Sequence, residues 1–188
     1  MDPRLIAIII IVAIVAGLAV LWAIARSQRT AKLRSRFGAE YDRTARMTGA
    51  RKAETLLMER ERRVETFPLR RLGAEEREKF ITEWRLIQSR FVDGPRGAVE
   101  QADLLVERLM RARGYPLTDT DFEQRAADIS VAHAGVVDNY RAAHQIALRH
   151  KQGQATTEDL RTAIVYYRSL FDDLLGTASM SLPQKEVA

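Results

Sequence analysis

Three histidines and no cysteine bound the chemistry open to this 188-residue chain. Without thiols there is no disulfide, no thiolate zinc site and no cysteine nucleophile. A di-iron helical bundle needs a glutamate three residues before an inward histidine. Ser130, Arg141 and Ala147 stand in those places ahead of His133, His144 and His150. Asp119-Thr120-Asp121 opens like a calcium loop, but the central glycine and closing glutamate do not follow. Glycine-rich phosphate loops, the Gly-x-Ser-x-Gly elbow and the His-Glu-x-x-His helix are missing too. The expectation is no catalytic residue, no cofactor and no metal. His144 remains, one helical turn after Tyr140. It reads either as a pH-sensitive or catalytic histidine or as a boundary histidine hydrogen-bonded inside a bundle. Trp84 is either core or cleft wall, and with Tyr140 and His144 it defines the candidate pocket. Gly114-Tyr115-Pro116 reads as an exposed aromatic loop or as a turn that packs its tyrosine inward.

The elements that must position these residues are helices. Phe80, Trp84, Ile87 and Phe91 recur at four, three and four residues, which puts them on one helix face. That helix starts near Ala74, behind Gly73, and stops at Asp93-Gly94-Pro95, where the proline opens the next. The second runs to about Arg113 with Val99, Ala102, Val106 and Leu109 inward. A short third helix, from Thr120 or Asp121 to Ser130, buries Phe122, Ala126 and Ile129. A fourth, from about Ala134 to Lys151, turns Val137, Tyr140, His144 and Leu148 inward. Thr156 with Asp159 makes an acidic variant of the capping box for a fifth helix. Its stripe is Leu160, Ile164, Tyr167, Phe171 and Leu174. No run alternates at period two, so the fold class is all-α. Residues 69–176 are expected to form a bundle of four main helices plus a short one, and 177–188 a flexible tail.

Upstream, Leu5 to Ala25 is an uninterrupted apolar run without a charge. As a helix it is about 31 Å long, the thickness of a bilayer's hydrocarbon core. Residues 1–26 are therefore expected to be a single transmembrane anchor. Arg26, Arg29, Lys32, Arg34 and Arg36 follow the span against one Arg4 before it, which predicts a cytoplasmic C-terminal domain at the cell membrane. Ala23-Ile24-Ala25 offers the alternative, a cleavage site and an exported or secreted protein. Ala13 and Gly17, four apart, suit a weak homodimer through the span.

Residues 27–68 are rich in helix formers and predict a basic, largely helical connector, read as one long charged helix with Gly38 and Gly49 as its points of weakness. Its apolar positions do not keep a heptad. Pro68 and Gly73 mark its end. From Arg26 to Glu65 there are 12 basic and 6 acidic residues, whereas Thr66 to Ala188 holds 17 and 18. The net charge of +5 therefore belongs to the segment beside the span. A cationic strip there is attracted to an anionic lipid leaflet by about 1 kcal/mol per cation. Nucleic acid is not expected, since only Phe37 and Tyr41 offer rings for stacking before the connector's last helical turn.

The runs Arg36-Phe37-Gly38-Ala39-Glu40-Tyr41-Asp42-Arg43, Glu83-Trp84-Arg85 through Arg90-Phe91-Val92-Asp93, Met110-Arg111-Ala112-Arg113-Gly114-Tyr115-Pro116 and Tyr140-Arg141-Ala142-Ala143-His144 carry a resemblance. In them the chain resembles an uncharacterised family of small bacterial membrane-anchored helical proteins, often labelled secreted. The resemblance implies a bacterial source and a helical domain, and it brings no activity, cofactor or catalytic residue. The function expected from the whole sequence is a membrane-tethered, non-enzymatic interaction or scaffold module with a protein partner. The alternative is a membrane-attached sensor that binds a small ligand among its helices.

Overall fold

The computed structural model describes the backbone of residues 3–117 and 121–176, and the side chains of 16–117 and 121–176. The expected tail at 177–188 and the Asp119-Thr120 pair lie outside the described residues. The described residues form eight helices and no strand: α1 (Pro3–Phe37), α2 (Ala39–Thr48), α3 (Ala50–Glu65), α4 (Ala74–Arg90), α5 (Pro95–Ala112), α6 (Phe122–Ser130), α7 (Val137–Lys151) and α8 (Thr157–Leu175). The fold class is all-α. The chain divides into two compact units, Met1–Thr55 and Leu56–Ala188, and the division falls inside α3.

In the first unit the expected single connector helix is replaced by three shorter pieces. Gly38 and Gly49 take φ of +49° and +82°, a region that L-residues rarely enter, and each ends a helix. α1 itself continues without interruption from the apolar run through the basic residues. Leu33 and Phe37 of α1, Tyr41 of α2 and Ala53 of α3 are buried. Thr30 donates to Glu54 at 2.7 Å, joining α1 to the start of α3. Among the described residues no helix is long and apolar enough to cross a membrane. Of the expected span, Leu5–Val15, Ala13 included, lie outside the described side chains, while Leu18, Val20, Leu21, Trp22 and Ile24 are exposed.

The second unit is a helical bundle whose core runs through α5, α7 and α8. α8 lies along both α7 and α5, α4 covers α5, and the short α6 leans on α7. The inward stripes of α5 and α8 are those expected: Val99, Ala102, Val106 and Leu109 on one, Leu160, Ile164, Tyr167, Phe171 and Leu174 on the other. Leu148, expected inward on α7, is exposed instead. Arg113 ties the bundle's end together, its Nη1 donating to the Leu174 carbonyl at 2.8 Å.

Helix starts follow their local chemistry. Pro95 opens α5, Asp121 caps α6 by accepting from the Gln124 N–H at 2.7 Å, and Glu76 reaches back to the Gly73 N–H at 3.0 Å. At α8 the capping box is complete. The Asp159 N–H donates to Thr156 Oγ1 at 3.1 Å, and the Thr156 N–H donates to the Asp159 carboxylate at 2.8 Å. Thr156→Ala is expected to cost about 1 kcal/mol by urea denaturation, and Thr156→Ser to recover most of it.

Candidate functional site

The five expected lipid-contacting cations do not share one face of α1. At about 100° of rotation per residue, Arg29, Lys32 and Arg36 fall on one flank of α1, beside the buried Leu33 and Phe37. Arg29 and Lys32 are exposed there, as is Arg36. Arg34 is on the other flank and spends its charge locally, 2.8 Å from Asp42 and 5.8 Å above the Tyr41 ring. Arg26, half-buried, sits 5.5 Å from the centre of the Trp22 ring.

The candidate pocket residues separate into two places. His144 stacks flat on Phe122, ring centres 3.6 Å apart and planes 5° from parallel, and Phe122 also meets Tyr140 at 4.8 Å. Trp84 instead stacks on Phe171 at 4.7 Å. It lines a 560 Å³ groove with Ile81, Val136 and Arg168, and neither Tyr140 nor His144 lies on that groove's walls.

Around Tyr140 and His144 is a polar interior that sequence reasoning missed. The Tyr167 hydroxyl faces the Asp103 carboxyl, the Tyr140 hydroxyl faces the Arg125 guanidinium, and Arg125 is 3.1 Å from Glu107. The two phenolic hydroxyls and the His144 Nδ1 are all buried. Burial dominates the electrostatics. It pushes the Asp103 carboxyl up, against the opposing pull of Tyr167 and Arg125, and raises the phenols of Tyr140 and Tyr167 far above their usual range. It also pushes His144 down, helped by the nearby Arg125 and Lys151. The shifts of Asp103, Tyr140, Tyr167 and His144 favour their neutral forms, whereas that of Arg125, paired with Glu107, favours the charged one.

His144 gives a pH dependence of definite sign. Its folded pKa lies below the value of about 6.5 that the unfolded chain has, so stability is full above that pH and declines as pH falls below it. Urea midpoints measured at successive pH values below 6.5 should decline less in His144→Gln than in the parent chain. Equal slopes would show that His144 does not contribute.

A second pair was also invisible in the sequence. His133 Nδ1 lies 2.5 Å from the Asp173 carboxylate across 40 residues of chain. Nearby Tyr115 is buried, edge-on to Phe67, and its hydroxyl is pushed up to about 12 by desolvation. Gly114-Tyr115-Pro116 is therefore a turn with its tyrosine inward, not an exposed loop. Asp128 is buried as well, held by Gln124 at 2.9 Å and Arg63 at 3.2 Å. No sequence rule joins these partners. The one available sign is polar residues flanking an apolar stripe, as Asp103 and Glu107 flank Val99, Ala102 and Val106. Among the described residues no group of three or more histidines and carboxylates is placed to hold a metal ion.

No family model, curated protein or solved structure matches the chain.

Proposed function

We propose that the chain is a membrane-tethered, non-enzymatic interaction module, with the Leu5–Ala25 helix as anchor and the second unit as the surface offered to a protein partner. The observation that carries the reading is the direct passage, on one continuous helix, from an uncharged apolar run to a basic segment. Three of its cations share a flank where an anionic leaflet would meet them, and the exposed Trp22 stands at the boundary, where interfacial aromatics collect. Trp84 stands apart from Tyr140 and His144, which favours this reading over a ligand sensor built on those three side chains.

Alkaline phosphatase, active only outside the cytoplasm, tests the arrangement when fused to the C-terminus. The fusion should be inactive and should stay in the membrane pellet through alkaline carbonate extraction. Replacing Arg29, Lys32 and Arg36 together by glutamate should raise the reporter's activity, because retention of Lys and Arg sets orientation. A parent fusion that is active, or that is recovered in the medium starting near Arg26, would overturn the reading.

A further inference from the structure

The groove between α4 and α5 combines exposed apolar side chains with arginines that the bundle does not neutralise. Leu86 on α4 and Leu104 on α5 are 48% and 60% exposed, and with Ile87 they line a 390 Å³ groove. Its two walls are antiparallel and cross-braced at both ends. Glu83 pairs with Arg108 at one end, and Arg90 donates to the Gln101 side chain at 3.3 Å at the other. The leucines lie between the braces.

Charge decides what can fill it. Of the wall's two carboxylates, Glu83 is spent on Arg108 and Glu107 is 3.1 Å from Arg125 of α6. Arg90 meets only a neutral amide in the groove, and Arg111 stands exposed at the opposite end. A cation therefore stands near each end of an apolar floor. From Gln101 to Arg111 the wall rises about 15 Å, the length of about ten helical residues. Two parallel ridges of side chains with a trough between them accept a third helix, and an amphipathic helix meets such a trough through its apolar stripe. A second copy of this chain would bring the same arginines face to face across a two-fold axis, which like-charge contact opposes.

We infer that the α4–α5 groove is the docking site for an acidic amphipathic helix of a protein partner, its apolar stripe on Leu86 and Leu104 and its carboxylates on Arg90 and Arg111. This rests on the interaction-module reading and names the partner's chemistry.

A photoreactive amino acid placed at position 104 of the full chain, in the membranes of the source cells, tests it. The same probe at position 165, exposed on α8, is the comparison. The expected result is an adduct from position 104 whose cross-linked peptide, once sequenced, is an acidic helix with an apolar stripe. Its yield should drop by about tenfold in Arg90→Glu/Arg111→Glu. An adduct with another copy of this chain, with a basic segment, or insensitive to the charge reversal would overturn the inference. A partner captured from position 165 alone would also overturn it, while leaving the interaction-module reading intact. Absence of adducts from both positions would remove both.

Discussion

Gly114→Ala is expected to destabilise the second unit by about 3–5 kcal/mol, a large part of the roughly 5–15 kcal/mol that holds a domain folded. Two costs combine. Gly114 has φ of +95°, where a side chain is strained whatever the surrounding space. A Cβ there would also stand 2.3 Å from the Pro68 carbonyl oxygen and 2.9 Å from its carbon, and a backbone segment cannot swing aside as a side chain can. Relief requires residues 67–70 to lift away. That breaks the Arg70 N–H bond to the Arg113 carbonyl and the edge contact of Phe67 with Tyr115. Gly153→Ala separates the two costs, because Gly153 has φ of +74° but open space around it, and should lose only about 1–2 kcal/mol. Urea titrations followed by circular dichroism measure both. Equal losses in the two variants would remove the close-approach argument.

Trp84→Ala should follow closely, at about 3–5 kcal/mol. The indole is buried between α4 and α8 and stacked at 23° on Phe171, so truncation leaves a large void and an unpaired ring. Its Nε1 is buried without a hydrogen-bond partner. Trp84→Phe therefore forfeits no polar bond and keeps an aromatic pair, and should cost only about 1–1.5 kcal/mol. If the phenylalanine variant were as unstable as the alanine one, the indole nitrogen would have to hold a bond that this geometry lacks.

Local rules carried furthest where their parts lie within one turn. The Thr156–Asp159 box and Pro95 at the start of α5 each concern no more than four consecutive residues, and both stand in the structure as expected. Spacing also decides which stripes hold. On α8, steps alternating between four and three residues stay on one face, and all five expected side chains are buried. On α7, Tyr140, His144 and Leu148 are two steps of four, each rotating about 40° further round the helix. Burial follows that rotation: Tyr140 is fully buried, His144 half-buried and Leu148 exposed. Gly38 and Gly49 were legible as weak points, but their sharp reorientation of the chain depends on φ values that composition does not set. Contacts across long stretches were not legible at all. Gly114 against Pro68, His133 with Asp173 and Arg113 with Leu174 depend on tertiary approach. Trp84, Tyr140 and His144 were grouped because each lies on an apolar stripe. The stripes meet different aromatic partners, so shared periodicity did not imply a shared cavity.

The unbroken course of α1 also meters how far its cations stand from whatever holds the apolar end. Counting from Ala25 at about 1.5 Å per residue, Arg29 is about 6 Å along the rod, Lys32 about 10 Å and Arg36 about 16 Å. At physiological ionic strength counter-ions screen a surface potential over about 8 Å, and at 0.01 M over about 30 Å. On an upright rod in cellular salt, Arg26 and Arg29 would feel most of the field and Lys32 and Arg36 progressively less; dilution would raise the share of the outer two.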